Sequence, residues 1–211
     1  MKEDVLEQLT DDYLMHEGYF TRHNIKFRPD KKKTEKYDQK KDSVPSDIDV
    51  IGIHPHHHGP KRVLVANCKA WQEGFDLAYN LKQLRKAQGK ISGREAWKSF
   101  RELMIPKWST AFREKIKEVT GSSEFTYLLV VTFLRKPNDR SIWENDNEFR
   151  EAIGGNPLRI LTLSEILDTL SASITTTPAA SEIGRVLQLI KAAGWKNDRP
   201  RSPIAREMKA R

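Results

Sequence analysis

Apolar positions Val5, Leu6, Leu9, Tyr13 and Leu14 recur at helical spacing with acids between them, which predicts an amphipathic first helix from Val5 to Met15. Glu17-Gly18 closes it as a glycine stop does, and Tyr19 to Arg28 alternates as a strand. The pattern then disappears. Pro29 to Ser46, with KKKTEKYDQKK at its centre and Pro45 at its end, is polar and lysine-rich, and a solvated, mobile loop is expected there.

Two short runs rich in β-branched residues follow, Ile48 to Ile53 and Val63 to Ala66, separated by a Gly/Pro/His segment. That is the pattern of a hairpin. Beyond Trp71 the period changes: Phe75, Leu77, Ala78, Leu81, Leu84 and Ala87 suit a helix stopped by Gly89. Further helical stretches are expected from Ser92 to Met104 and, after Pro106, from Trp108 to Val119. Glu124 to Leu134, with YLLVVTF at its heart, reads as the buried middle strand of a sheet. Ile142 to Ile153 is expected to be helical, Leu158 to Leu163 a strand, and Ser164 to Ser171 a helix with a serine N-cap. TTTPAAS then precedes a last helix, Glu182 to Ala193.

The order helix, three strands, helices, strand, helix, strand, helix gives an α/β fold, a central sheet with helices on its faces. The expected organisation is one domain over 1–195, with a helical insertion at about 90–120, and a basic tail over 196–211. No repeat and no glycine-rich phosphate loop is present.

Charge narrows the partners. Among 211 residues, Lys+Arg 37 against Asp+Glu 29 leaves a formal net charge of +8, which puts a nucleic acid first and an anionic membrane surface second. The tail has no apolar face for a membrane, and no apolar run approaches the ~20 residues of a span. A cytoplasmic location is expected. A single cysteine, Cys68, rules out an internal disulfide and a cysteine-based zinc site.

The chemistry-bearing residues gather at one end of the hairpin. Asp47 and Asp49 are two apart on its first strand; Asn67 and Lys69 share a face at the end of its second, with Cys68 on the opposite face. Strand interiors disfavour such residues, so each needs a partner or a metal. The structural alternative is an Asp49–Lys69 salt bridge. Glu7 lies beside the apolar stripe of the first helix and could lean inward. His54, His56, His57 and His58 crowd a Pro/Gly turn that aims them at no common ion. Lys31, Lys32, Lys33, Lys40 and Lys41 of the loop, with Lys82 and Arg85 of the next helix, are candidates for gripping phosphates without reading bases.

Glu7, Asp49, Asn67 and Lys69, set in DIDVIG and VANCKAW within this element order, resemble the PD-(D/E)xK, or restriction-endonuclease-like, nuclease superfamily. The wording is nearest to the Mrr-type restriction nucleases and their Holliday-junction-resolvase relatives, which also place a first-helix glutamate before a Gly-Tyr such as Gly18-Tyr19. The likeness covers residues 3 to 134. It implies an αβββαβ core and an Mg²⁺-dependent endonuclease (Mn²⁺ being a second choice) acting on DNA, with RNA as another polymer of the same linkage. It also implies a homodimer. Asp49 would hold the metal with Glu7, with Asp47 as alternative and the Cys68 carbonyl as a further oxygen, while Lys69 would serve catalysis. Asn67 departs from the pattern: it stands where the family has Asp, Glu or Gln, and it brings an oxygen but no charge. A nucleic-acid-binding module that has lost the chemistry is the alternative.

Overall fold

The computed structural model describes residues 4–173 and 181–194. The expected basic tail and most of TTTPAAS lie outside the described residues. In chain order the elements are α1 Val5–His16, β1 Phe20–Phe27, α2 Gln39–Asp42, β2 Ser46–Ile53, β3 Val63–Lys69, α3 Leu77–Leu84, β4 Lys90–Ile91 and β5 Arg94–Glu95. They continue with α4 Arg101–Met104, α5 Pro106–Thr120, β6 Thr126–Val131, α6 Ser141–Glu144, α7 Asn147–Ala152, β7 Leu158–Thr162, α8 Leu163–Ser173 and α9 Glu182–Ala192.

Five strands form a mixed sheet in the order β1-β2-β3-β6-β7, with antiparallel pairing along β1-β2-β3 and parallel pairing along β3-β6-β7. The α/β layering expected from the sequence is therefore present. The central strand is β3 rather than β6, although every residue of β6 is buried. Both faces carry an apolar core. On one, Leu6, Leu9 and Leu14 of α1 meet Ile166 and Leu170 of α8 over Val50, Ala66, Leu128 and Val130. On the other, Trp108, Phe112 and Ile116 of α5 and Trp143 and Phe149 of the α6–α7 pair cover Ile51, Val65, Tyr127 and Leu129.

Local chemistry sets the boundaries. Asp4 caps α1 by accepting the Leu6 N–H, and Gly18, with φ of +88°, takes the left-handed turn that ends it. The helix expected from Ser92 to Met104 is largely replaced by the β4–β5 hairpin, a 3₁₀ turn over Ala96–Ser99 and the single turn of α4. The cause is Ser92-Gly93: both adopt positive φ, 50° and 78°, as a primed two-residue hairpin turn demands. Ile142 to Ile153 is likewise two short helices, since Asp146 leaves the helix to cap α7 at the Phe149 N–H.

The lysine-rich segment is not the free loop that its composition suggests. Asp42 is 1% exposed, and its carboxylate accepts the Lys107 ammonium at 2.5 Å, the Trp108 indole N–H at 3.0 Å and the Asp38 N–H at 2.7 Å. Burial would raise its pKa, but those three donors together with the charge of Lys107 overcome it and hold the carboxyl below the usual range. The segment is pinned to α5 at that point, with Lys31, Lys32, Lys33, Lys40 and Lys41 exposed around the anchor.

Candidate active site

The ladder between β2 and β3 ends at the Val50–Ala66 pair, and there the two strands part. Just beyond, the Asp49 carboxylate accepts the Cys68 N–H at 2.6 Å, so the side chain bridges the strands where backbone pairing has stopped. A slip in alternation accompanies this. Ile48 packs into the core on one face and Val50 into that on the other, whereas residues two apart on a regular strand share a face. Opposite Asp49 on β1 stands Asn24, with a left-handed φ of 52°, between the His23–Val50 and Ile25–Ile48 pairs. The β1–β2 register is interrupted on both strands at the position that carries the acid.

Asn67 and Lys69 lie on the α4–α5 face of β3, as alternation from the buried Val63 and Val65 requires. The Lys69 ammonium sits 5.5 Å over the Phe100 ring. Among the described residues Lys69 takes part in no ion pair, so the direct Asp49–Lys69 bridge of the structural alternative is not formed. The two still feel each other. Burial raises the Asp49 carboxyl above its ordinary value, and Lys69 and the Cys68 N–H pull it only part of the way back.

Glu7 approaches Asp49 from α1, on the other face of the sheet. Burial, then the charges of Asp49, Asp4 and Asp47, push its pKa up to about 7. Asp47 stands nearby, but its carboxylate is engaged by Lys26 across β1 at 2.5 Å, so the alternative ligand already has a cation. The Cys68 thiol points to the α1 side, 3.5 Å from the Thr10 hydroxyl, and burial pushes its pKa far up, as expected of a packing residue rather than a nucleophile. Among the described residues, no group of three His, Cys, Asp or Glu side chains is arranged to hold one metal ion. A metal here would rest on one or two carboxylates, with neutral oxygens and waters completing the shell, which is the usual arrangement for Mg²⁺.

Two residues join the site that the sequence did not announce. Glu102 of α4 is 2% exposed, and its Oε1 accepts the Asn67 amide at 2.8 Å and the Tyr127 hydroxyl at 2.6 Å. Its charge also acts on Asp49. Nothing local marked them, because a lone Glu in an amphipathic segment is ordinarily solvated and Tyr127 lies in an apolar strand.

The proposed phosphate-gripping residues divide. Lys82 is exposed, as are the five loop lysines. Arg85 is committed to structure instead: its guanidinium lies 2.6 Å from Asp146, whose side chain is 4% exposed, and 4.0 Å from Glu148. The histidine turn is held by His54, whose Nδ1 accepts the His56 and His57 N–H groups at 3.1 Å each and whose ring stacks on His57 at 3.7 Å. That nitrogen is thereby used for the turn and not for a metal.

Searches against protein-family models, curated proteins and solved structures find no match to this chain.

Proposed function

We propose that the chain is a metal-dependent nuclease of the PD-(D/E)xK kind, hydrolysing phosphodiester bonds in DNA. The observation that carries this reading is the Asp49 carboxylate, held by the Cys68 N–H where β2 and β3 part and within electrostatic reach of Glu7 from the α1 face and of Lys69 from the α4–α5 face. The succession of α1, three antiparallel-paired strands, helices and a parallel β6 agrees with the αβββαβ core of that superfamily.

Asp49 and Glu7 would hold a Mg²⁺ ion, which when bound acidifies a water and polarises the phosphoryl oxygens. The remaining steps belong to the protein. Lys69, in no ion pair among the described residues, can orient the attacking water or neutralise charge building on the phosphorus. Glu7, with a pKa near neutrality, gives up its proton as a cation arrives. The exposed lysines around the Asp42 anchor supply a backbone grip that carries no sequence information.

Incubation with supercoiled plasmid, single-stranded and branched DNA, and RNA, in Mg²⁺, Mn²⁺ or EDTA, tests the reading. Cleavage in Mg²⁺ or Mn²⁺ and none in EDTA supports it. Binding without cleavage of any substrate favours the alternative, a degenerate binding module, for which the uncharged Asn67 is the specific observation. Two strands cut in one encounter would fit the expected homodimer.

A further inference from the structure

Asn67 is the departure from the resembled pattern, and the charge it lacks lies next to it. Glu102 comes from α4, far along the chain, yet it is buried against Asn67 and Tyr127 and acts electrostatically on Asp49. A buried carboxylate needs such donors. The bond also decides how the amide lies. A carboxylate only accepts, so the Asn67 Nδ2 must face Glu102 and its Oδ1 must face away from it. That Oδ1 is buried, and no donor reaches it among the described residues. Buried acceptors are almost always satisfied, and an amide oxygen on the residue just past Ala66, as Asp49 is the residue just past Val50 in the last β2–β3 pair, is chemically suited to a cation.

We propose that Asn67 Oδ1 is a ligand oxygen for the divalent cation, and that Glu102 is the positioning residue that aims it. Glu102 also supplies, one bond further out, the negative charge that an acid at position 67 would bring. Tyr127 holds the same Glu102 oxygen from the sheet, so the amide, the carboxylate and the hydroxyl form one chain. Outer carboxylates of this type fix ligand orientation, and their loss typically lowers metal affinity about 10–100-fold. The inference rests on the nuclease reading and adds to its two carboxylates a neutral-oxygen ligand with its support.

The test is Mn²⁺ affinity of the full chain, by calorimetry or electron paramagnetic resonance, with folding checked by circular dichroism. Wild type should bind and Asp49→Asn should not. Glu102→Gln, which keeps the shape and a hydrogen-bonding oxygen but removes the charge, should bind about 10–100-fold more weakly. The double variant Asn67→Asp with Glu102→Gln exchanges amide and carboxylate across the same bond and should recover to within a few-fold of wild type. Wild-type affinity in Glu102→Gln, or no recovery in the double variant, overturns the inference while leaving the nuclease reading in place. Should Glu102→Gln fail to fold, Asn67→Ala decides, because unchanged affinity there overturns the inference equally. Absence of Mn²⁺ binding by wild type removes the reading itself.

Discussion

Asp49 and Cys68 are joined at 2.6 Å, carboxylate to backbone N–H, at the point where two antiparallel strands stop pairing. The bond is both a structural bridge and the anchor of the candidate cation site. Asp49→Asn keeps an oxygen to accept the N–H and removes the charge whose burial is costly. Its melting temperature should match or exceed that of wild type, while divalent-cation affinity falls by more than about 100-fold and cleavage stops. Calorimetry and a thermal melt on one sample check both.

Glu7 gives a pH dependence with a definite sign. Its folded pKa, about 7, lies above the ordinary 4.5, so between those values the folded state holds more protons than the unfolded state. Its contribution therefore favours folding below pH 4.5 and is lost progressively as pH rises to about 7. Glu7→Gln should melt higher than wild type at pH 8, and the gap should close toward pH 4.5. Mg²⁺ should raise the wild-type melting temperature more at pH 8 than at pH 6, because the cation competes with the proton. Thermal melts across that range, with and without Mg²⁺, measure it.

Asp42 ties the lysine-rich segment to α5 through Lys107 and Trp108. Replacing it by Ala leaves a partly buried ammonium and a buried indole N–H without their acceptor, at a cost of about 3 kcal/mol. Because the folded pKa of Asp42 is depressed, its contribution is present above the unfolded value of 3.8 and lost as pH falls through the folded one. Trypsin should cut within residues 31–41 faster in Asp42→Ala than in wild type. Equal rates in the two proteins would mean that the anchor does not hold the segment.

The exposed lysines should act on phosphates without regard to sequence. Combined Lys31→Ala, Lys32→Ala and Lys33→Ala substitutions should weaken DNA binding similarly for unrelated sequences. They should lower the slope of log affinity against log salt by about 1 for each phosphate that is no longer neutralised. Fluorescence anisotropy over a salt series reads this. Arg85→Ala should leave the slope unchanged and lower stability, since Arg85 already serves Asp146.

The candidate site was legible where an apolar strand tolerates ionisable residues. Asp49, Asn67 and Lys69 stand out against apolar neighbours, and the charge of Asp49 acts on Glu7 beside the stripe of α1. Residues defined by distant partners were hidden. Glu102 meets Asn67 across 35 positions of sequence, from a segment whose helical periodicity conceals a Ser92-Gly93 hairpin. Asp42 looked solvated because its neighbours are lysines, while its acceptor role depends on Trp108, 66 residues away. The slip at Asp49 lies opposite Asn24 of another strand, which no pattern within β2 records.

Nicking of supercoiled plasmid in Mg²⁺ by wild type and by Lys69→Met, which keeps the stem over Phe100 and loses the ammonium, bears most directly on the site. Wild type should cleave and Lys69→Met should bind the plasmid without cutting it. Equal cleavage by the two proteins would contradict the assignment of Lys69 and, with it, the site at the parting of β2 and β3.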